Sequence, residues 1–562
     1  MSEPHGTEDK YGKADRERQA HVEAVLHSPS RKKIVVAGPG TGKTHLFKKV
    51  LEGKRKCLTL TFVNALVEDL ALELCGMSDV RTLHSYARSV LSRVDRDVEI
   101  FPKLSEVIAE DAKILLKEEI QFNRLFHNRD DKHKHIPFYR KRRQYYGKYY
   151  GFVDIIFALV RFFEENNDRI PTYDQVLVDE FQDFNKLEVS LIELLAEKSP
   201  VLIVGDDDQA LYDFKDASPD HIRRRYTSRS SGYASFELPY CSRCTRVIVK
   251  AANDIIASAT ANGCFKTRIK KKFEYFDHKR KDRESDKNPK IIHASLFAAQ
   301  IPWFIQQRIE EIAQDVRDKF SVLIISPTKT QSRHIVAALR EKGFKNITTV
   351  ERGDQQEPSL LDGLEILLDD KTSNLGWRIA AKFVLDQEAF ESMLQETNDD
   401  SGKTVSEIIG SAPKKKIKAM LKILRALRND EGVDEQELLA LTKAVGIEPL
   451  RMARDALRDR VQSSSERIGN PGIRKIPIRA TTIESSKGLT DEYVFITHFD
   501  DLYFIKDNDK GNVTDRDVCK FLVALTRARK KVFLISSDVK NEPTFLTWID
   551  NNRIERIKVV DS

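Results

Sequence analysis

Residues 32–44 read KKIVVAGPGTGKT, the stretch that decides the fold class. A short β-branched run leads into glycines, and Lys43 and Thr44 then open a stretch with helical periodicity. The spacing is that of a phosphate-binding loop with alanine at the first glycine position, and a glycine-rich turn closing an ordinary βα unit is the less favoured alternative. In such a loop, backbone N–H groups and the lysine bind phosphate, and the threonine hydroxyl binds Mg²⁺. The residues predicted to hold a nucleotide are Gly38, Pro39, Gly40, Thr41, Gly42, Lys43 and Thr44.

Two later apolar runs end in acidic residues. QVLVDE at 175–180 and VLIVGD at 201–206 are typical of buried parallel strands. Because ligands bind at the carboxyl ends of such strands, Asp179 is predicted to bind Mg²⁺ and Glu180 to orient and deprotonate the attacking water. Gln209, in the GDDDQ that follows the second run, is placed to sense a γ-phosphate. The pattern predicts an ATP-hydrolysing site, and the adjacent acid pair disfavours a small-molecule kinase without excluding it.

The rest of the chain indicates a second sheet domain and two helical insertions. VLIISP at 322–327, VFIT at 494–497 and VFLISS at 532–537 predict further buried strands. Residues 95–150 and 346–475 are charged and helical in pattern. We therefore expect two α/β domains with parallel sheets, each interrupted by helices.

The composition is that of a soluble globular protein in a reducing compartment. Of the 562 residues, 40% are hydrophobic and 32% are charged, and the net charge of +7 is mild. The longest apolar stretch, 151–163, is short and carries Asp154 and Arg161, and the N-terminus lacks an apolar signal, so a cytoplasmic protein without a membrane span is expected. Cys241 and Cys244 form one CxxC, but no second ligand pair follows at zinc-finger spacing, which favours two ordinary thiols.

Eight segments, in one order from residue 37 to residue 528, resemble the signature motifs of the UvrD/Rep/PcrA group of superfamily 1 helicases. AGPGTGKT is similar to motif I, DEFQD at 179–183 to motif II and GDDDQALYDFK at 205–215 to motif III. The remaining motifs are matched by LTFVN (60–64, Ia), TLHS (82–85, Ib), LPYCSR (238–243, IV), TIESSKGL (482–489, V) and VALTRA (523–528, VI).

The resemblance implies two recA-like P-loop motor domains, each with a helical insertion. The insertions look small for the group, as in compact accessory motors that include UvrD-like subunits of anti-phage defence systems; DNA repair is the other pathway expected. The implied parts are motor domain 1A at 1–88 and 155–236, insertion 1B at 89–154, motor domain 2A at 237–345 and 476–562, and insertion 2B at 346–475.

The activity implied by the resemblance is that of an ATP-dependent, Mg²⁺-requiring translocase and helicase on single-stranded or tailed duplex DNA, moving 3′ to 5′. The alternative is an ATPase subunit that senses DNA or nucleotide, regulates a partner nuclease and separates few base pairs itself. An RNA substrate stays open because stacking and phosphate contacts do not report the sugar.

Two arginines and one glycine receive nucleotide roles from the same resemblance. Arg243 and Arg527 match the family's two arginines that reach the γ-phosphate from the second motor domain, acting as arginine fingers in cis. Gly488 matches a position in the nucleotide site. Hydrolysis is then expected to depend on closure of the two motor domains.

The strand track is predicted from both residue types and resemblance. Tyr212 and Phe214, interleaved with Lys215, offer stacking faces and a cation, although core aromatics are an equal alternative on spacing alone. The basic-aromatic segment 132–150 is a further predicted DNA contact. The residues predicted to line the single-strand track are Phe62, Asn64, Thr82, His84, Tyr212, Phe214, Lys215 and Lys487.

Several positions depart from the family pattern. In motif V, Glu484 stands in place of a histidine and Thr490 in place of a glutamate, and Ser242 replaces the motif IV tyrosine that stacks on adenine. The upstream glutamine that binds adenine aligns best with His21, whereas Gln19, predicted to contact the nucleotide, lies two residues away. We therefore expect weaker selectivity among nucleobases.

Overall fold

The computed structural model describes residues 5–61, 64–95, 97–211, 216–315, 319–350, 357–398, 402–429, 436, 439, 476–505 and 512–558. The chain forms two compact units. The sheet unit comprises Met1–Leu83, Asn166–Arg352 and Pro471–Ser562, and the helical unit comprises His84–Glu165 and Gly353–Asn470. Within the described ranges, none of the helices has the length and apolar character needed to cross a membrane.

The strands are short, and every ladder that pairs them in the described part of the chain is parallel. In chain order they are β1 Lys32–Ala37, β2 Cys57–Thr61, β3 Asp79–Thr82, β4 Glu99–Ile100, β5 Tyr149–Tyr150, β6 Gln175–Val178, β7 Val201–Gly205, β8 Ala234–Leu238, β9 Tyr240–Cys241, β10 Glu274–Tyr275, β11 Ile291–Ser295, β12 Val322–Ser326, β13 Ile347–Val350, β14 Ile478–Thr482, β15 Asp491–Thr497, β16 Ala528–Ser536 and β17 Ile554–Lys558.

The helices alternate with these strands in the sheet unit and follow one another in the helical unit. In chain order they are α1 His5–His27, α2 Lys43–Leu51, α3 Asn64–Glu73, α4 Leu83–Leu91, α5 Leu104–Leu115, α6 Phe122–His127, α7 Ile136–Tyr145, α8 Phe152–Glu165, α9 Lys186–Lys198, α10 Asp220–Thr227, α11 Arg246–Ala261, α12 Lys279–Lys287, α13 Ile301–Asp315, α14 Lys329–Glu341, α15 Leu360–Asp369, α16 Asn374–Val384, α17 Gln387–Asn398, α18 Val405–Ile408, α19 Ser411–Arg428, α20 Asp501–Phe504, α21 Asp515–Leu525 and α22 Thr544–Thr547.

The first sheet has the strand order β3-β2-β6-β7-β1-β8. Strands β2, β6 and β7 are buried along their whole length, as continuous apolar runs require when helices cover both faces of a parallel sheet. Strand β7 lies between β6 and β1, pairing Ile203 with Val178 and Val204 with Val35. The loops that follow β1, β6 and β7 therefore meet at one edge of the sheet.

The second sheet has seven strands in the order β13-β14-β12-β15-β16-β11-β17. The interior strand β12 pairs Ile324 with Ala480 of β14 on one side and with Phe495 of β15 on the other. One face packs on the apolar cluster that contains Phe521, and the other packs on the cluster that contains Ile305. The predicted fold class, α/β with two parallel sheets, is confirmed.

The helical unit unites the two insertions that the sequence separates by almost 200 residues. Helices α15–α19 share one apolar core, to which Ile114 of α5 contributes from the first insertion and Leu364 and Trp377 from the second. Helix α8 also belongs to this unit, although residues 155–165 are predicted above to belong to motor domain 1A. It packs here because its apolar face meets α6, with the rings of Phe126 and Phe157 4.7 Å apart.

A buried ionic cluster joins the two insertions. Asp111 of α5 accepts hydrogen bonds from Arg142 of α7 (Nε, 2.9 Å) and from Arg378 of α16 (Nε, 3.0 Å), and the Tyr146 hydroxyl donates to it as well. Burial alone would raise the pKa of Asp111, but the two guanidinium groups lower it below its usual value. Asp111 is therefore the carboxylate shared by two cations that have almost no contact with solvent, and Arg378 also pairs with Glu110 Oε2 at 2.9 Å.

We expect Asp111→Ala to destabilise the helical unit by about 3–5 kcal/mol, because it removes the carboxylate that two buried guanidinium groups share. Thermal and urea unfolding of the full chain would measure the loss. Glu119→Ala is the matched control, since Glu119 is exposed and forms an ion pair with the exposed Lys113. Equal stability of the two variants would contradict a structural role for the cluster.

The same cluster changes the interpretation of the basic segment 132–150. Arg142 faces the core and is bound to Asp111, so it cannot also bind a phosphate. Arg143 lies over the ring of Tyr150, 4.1 Å from its centroid. Arg140 and Lys141 are exposed. For these two residues the DNA contact stays a prediction.

Candidate active site

The glycine-rich loop connects β1 to α2 and has the geometry of an anion-binding loop. Gly40 and Gly42 have φ values of 72° and 97°, which side chains rarely tolerate. The Thr41 hydroxyl donates to the Gly38 carbonyl at 2.9 Å, and the Leu46 N–H donates to the Gly42 carbonyl at 3.0 Å. The loop thus leads directly into the first turn of α2. The backbone N–H groups at such a helix N-terminus are suited to binding phosphate.

The acid pair lies directly opposite this loop. The Lys43 ammonium is 2.8 Å from Glu180 Oε1 and 4.0 Å from Asp179 Oδ1. Glu180 has φ 54°, an unfavourable value for a residue with a side chain, and its N–H donates to Asp179 Oδ1 at 3.0 Å. The structure therefore brings together three of the residues predicted to be catalytic, on the ends of two strands separated only by β7.

The two acids differ in pKa. Burial raises the pKa of Asp179 to about 6, and the lysine opposite it only partly offsets this effect. Burial acts on Glu180 in the same direction, but Lys43 and Lys487 outweigh it and hold the pKa of Glu180 well below its usual value. Glu180 is therefore a carboxylate at neutral pH, which is the form that accepts a proton.

Gln182, in DEFQD, holds the acid loop against the neighbouring strand. Its Nε2 donates to Glu180 Oε2 at 2.6 Å, and its Oε1 accepts the N–H of Asp206 at 2.9 Å. Gln182 is absent from the predicted site residues, although its position within DEFQD is a signal in the sequence. Gln182 positions Glu180 and is not itself placed to react.

A polar contact connects the two sheets at the predicted γ-phosphate sensor. Gln209 Nε2 donates to Asp206 Oδ2 at 2.6 Å, and Gln209 Oε1 accepts a hydrogen bond from Arg527 Nη2 at 3.0 Å. Arg527 follows α21 of the second sheet and is buried. Burial lowers the pKa of Arg527 to about 10, with Arg243 adding to the effect, so the guanidinium stays charged at neutral pH.

The motif IV segment touches the phosphate loop directly. Ser242 donates to the Gly40 carbonyl through its N–H at 3.0 Å and through its hydroxyl at 3.2 Å. A Cβ at position 40 would lie 2.3 Å from Cβ of Arg243, so only glycine fits there. Both predicted arginine fingers thus lie near the site, Arg243 beside the loop and Arg527 beside Gln209.

Three consecutive acids, Asp206, Asp207 and Asp208, lie close enough together to hold a cation. The ammonium of Lys271 already occupies the space among them, 2.5 Å from Asp206 Oδ1 and 3.0 Å from Asp208 Oδ2, and it contacts Asp207 as well. Arg268 forms a bidentate pair with Asp208. The cluster is therefore neutralised by the basic run that begins at residue 266, and it is not a candidate Mg²⁺ site.

Lys487 lies in this site and not on an open track. Its ammonium contacts the Asp183 carboxylate, is 3.4 Å from Glu180 Oε2 and donates to the Gln209 carbonyl at 2.7 Å. Two carboxylates and a carbonyl draw the cation inward and compensate its burial. The position differs from the predicted strand contact, because partners from motifs II and III surround the side chain. Gly488, with φ 90°, forms the turn that follows.

Comparison with known proteins agrees with this geometry. A family model of the UvrD/REP helicase N-terminal domain matches residues 127–228. DNA helicase II of Salmonella typhimurium is 24% identical over a match that covers 94% of this chain and 84% of that protein. DNA helicase II of Haemophilus influenzae is 27% identical over 41% of this chain and 39% of its own length, and PcrA of Staphylococcus epidermidis is 25% identical over 40% and 37%.

The chain is similar to the UvrD/Rep/PcrA group of superfamily 1 helicases. These matches indicate an ATP-dependent DNA helicase enzyme. The chain spans more than four fifths of the Salmonella typhimurium relative and about two fifths of the Haemophilus influenzae relative.

The structure describes only part of the predicted strand track of this UvrD-like helicase. Thr82 is buried at the end of β3, and the ring of His84, in the helical unit, lies 4.9 Å from the ring of Phe152. Asn64 is the first residue of α3, but its side chain lies outside the described residues. Four predicted contacts also lie outside them: Phe62, Tyr212, Phe214 and Lys215.

A cleft beside the phosphate loop contains His21, one of the two positions that depart from the family's adenine-binding pattern, whereas Ser242 does not line it. Arg18, His21 and Tyr240 line it together with Thr41 and Gly42. The rings of His21 and Tyr240 are 5.9 Å apart in an edge-on arrangement. Gln19 does not line this cleft, because it lies on another face of α1, where its amide donates to Glu23 at 3.2 Å.

Proposed function

We propose that this chain is a translocase on single-stranded DNA that hydrolyses Mg²⁺-ATP and separates duplex strands in the 3′ to 5′ direction. The observation that carries the proposal is the hydrogen bond between Arg527 and Gln209, which connects the second sheet to the loop after β7. A nucleotide bound beside Gln209 would be touched from both sheets. Its hydrolysis could therefore change how the two sheets pack, which is the event that a motor needs.

The roles of the residues follow from their positions. Lys43 exchanges its contact with Glu180 for the phosphates, and this exchange frees the carboxylate to take a proton from the attacking water. Thr44 and Asp179 would hold the Mg²⁺, whose chemistry is to neutralise charge on the phosphates. Arg243 and Arg527 stabilise the charge that develops on the γ-phosphate, and Gln209 reports its presence to Arg527.

Lys487 is proposed to couple motif V to hydrolysis. Its partners Asp183, Glu180 and the Gln209 carbonyl belong to the two loops that surround the γ-phosphate position. Movement of the segment after β14 would therefore alter the charge around Glu180. Such a link is expected of a residue that transmits strand binding to the ATPase, in place of a direct strand contact.

The strand track is proposed to include Phe62, Asn64, Thr82, Tyr212, Phe214 and Lys215, and to bind the bases by stacking. We also propose the six-part division into 1A, 1B, 2A and 2B, with the whole of α8 counted in insertion 1B and the two insertions acting together because of the ionic cluster around Asp111. We also propose that the exposed side chains of Arg140 and Lys141 contact the phosphate backbone of DNA.

A second candidate function is a sensing ATPase that regulates a partner nuclease. It is favoured by one observation, the buried cluster around Asp111, which ties the two insertions to each other. If these insertions cannot move independently, ATP hydrolysis would be coupled to a change of state with little strand separation. DNA-stimulated hydrolysis without unwinding by the full chain would support this alternative.

The directional proposal predicts that the chain unwinds a duplex with a 3′ single-stranded tail and leaves a 5′-tailed duplex intact. Strand-displacement assays on the two substrates, identical except for the tail, would measure it with Mg²⁺ and ATP present. A blunt duplex is the control for end fraying. Preferential unwinding from the 5′ tail would contradict the direction, and hydrolysis without displacement on either tail would favour the sensing ATPase.

A further inference from the structure

Cys241 and Cys244 form a pair of thiols in direct contact. Cys241 ends β9, and the N–H of Cys244 donates to its sulfur at 3.5 Å. Both side chains are buried, so the surrounding core holds them in place. The backbone contact at the sulfur of Cys241 brings the two cysteines side by side at the end of β9. A disulfide between them would require the sulfurs to approach to about 2.05 Å.

The pair lies between the two halves of the nucleotide site. The sulfur of Cys241 is 3.2 Å from the position that a Cβ on Gly40 would occupy, directly against the phosphate loop. The thiol of Cys244 contacts the carbonyl of Thr526 at 3.7 Å, next to Arg527. Arg243, the other proposed arginine finger, is enclosed between the two cysteines in the chain. In the described part of the chain, no other pair of cysteines lies against both the phosphate loop and the segment beside Arg527.

The electrostatics of the pair are unequal. Burial alone would raise the pKa of Cys241, but the hydrogen bonds from Cys244 and from the N–H of Arg243 lower it to about 6. The pKa of Cys244 is raised well above its usual value by the hydrogen bond to Cys241 and by burial. One sulfur is thus a thiolate at neutral pH and the other a thiol, the division of roles found in reactive CxxC pairs.

We propose that Cys241 and Cys244 form a reversible disulfide that switches off nucleotide hydrolysis. With hydrogen peroxide as the oxidant, the Cys241 thiolate attacks one peroxide oxygen, the O–O bond breaks and hydroxide leaves, which takes up a proton to become water. The Cys244 thiol then loses its proton and attacks the Cys241 sulfenic acid sulfur. The S–O bond breaks, a second water leaves and the S–S bond forms, so two thiols and one peroxide give one disulfide and two waters.

Inhibition follows from the position of the pair. Closing the disulfide draws the backbone of Ser242 and Arg243 into a tighter loop, and this backbone is hydrogen-bonded to the Gly40 carbonyl. The phosphate loop and Arg243 would both shift relative to the phosphates. This inhibitory effect rests on the proposed hydrolysis of ATP, whereas formation of the disulfide does not.

The test uses the full chain treated with hydrogen peroxide and then alkylated. We expect mass spectrometry to find Cys241 and Cys244 joined and short of two hydrogen atoms. DNA-stimulated ATPase should fall at least about tenfold, since displaced arginine fingers cost 10³ or more in rate. Dithiothreitol should restore both readouts.

Matched variants separate this switch from general oxidation. Cys244→Ala and, as a second variant, Cys241→Ala should keep ATPase after the same treatment, while Cys75→Ala, at the exposed cysteine, should be inhibited like the parent chain. Oxidation of Cys75 with Cys241 and Cys244 still reduced would overturn the proposal, and so would a disulfide that leaves ATPase unchanged. A chain that forms the disulfide but hydrolyses no ATP when reduced would instead count against the proposed function.

Discussion

Replacing Glu180 with glutamine is expected to leave ATP binding largely intact and to reduce turnover by about 10²- to 10⁴-fold, the usual contribution of a general base. The amide keeps the shape of the side chain but cannot accept the proton from water. It also removes the negative charge that contacts Lys43 at 2.8 Å in the structure, so ATP should bind at least as well as before.

Binding of a fluorescent ATP analogue and single-turnover hydrolysis with DNA present would measure the two effects separately. Glu197→Gln is the matched control, because Glu197 is exposed on α9 and its carboxylate accepts a hydrogen bond from the amide of Asn167, away from the nucleotide site. Lys43→Ala should weaken binding as well as turnover. A Glu180→Gln chain that hydrolyses ATP at nearly the parent rate would remove Glu180 from the catalytic role.

Replacing Arg527 with alanine is expected to slow hydrolysis by about 10³- to 10⁵-fold, as for other arginine fingers, and to leave DNA binding unchanged. The substitution removes the cation from the γ-phosphate position and the donor from Gln209 Oε1. Because Arg527 also donates to the Val523 carbonyl at 2.9 Å, a melting curve must show that the variant is folded.

DNA-stimulated ATPase and fluorescence anisotropy with a single-stranded oligonucleotide would test this expectation. Arg529→Ala removes an exposed neighbouring guanidinium, which donates a hydrogen bond to the Thr490 hydroxyl at 3.3 Å. This control should have little effect on ATPase or on DNA binding. Arg527→Lys keeps the charge but not the two-pronged geometry, so an intermediate rate is expected. Loss of DNA binding equal to the loss of ATPase would show that Arg527 supports the fold and not the reaction.

The contact of Lys487 with Glu180 and Asp183 has a consequence for coupling. Three elements meet at this ammonium: the acid loop, the loop after β7 and the segment after β14. In the proposed mechanism, Glu180 must be free of cations that compete for its carboxylate before it can accept a proton. A shift of Lys487 away from Glu180 is therefore a physical route by which strand binding can raise the ATPase rate.

The buried cluster around Asp111 bears on how the insertions act. Replacing one partner of a buried ion pair is far more costly than replacing an exposed pair, because the remaining charge keeps its desolvation cost. Arg142 and Arg378 come from different insertions, and a single carboxylate serves both. The insertions are thus held together by a contact that water cannot easily replace.

The sequence by itself determined the fold class, the order of the motifs and the residues of the phosphate loop and acid pair. These features are local: the GPGTGKT loop and the VLVDE strand end place their functional groups within a few bonds of a regular strand or helix. Parallel pairing then brings strand ends together without further information, which is why Lys43, Asp179 and Glu180 meet as expected.

Only the tertiary structure decided which cations face outward and which are bound internally. Arg142 lies in a basic run that is typical of a DNA contact, yet Asp111 binds it in the core, and Lys487 is held by acids of motifs II and III. The thiols of Cys241 and Cys244 acquire unequal character from neighbouring N–H groups and from burial. In each case the deciding partner, or the burial itself, comes from packing, because charge and reactivity depend on the groups that surround a side chain in space and on its distance from water.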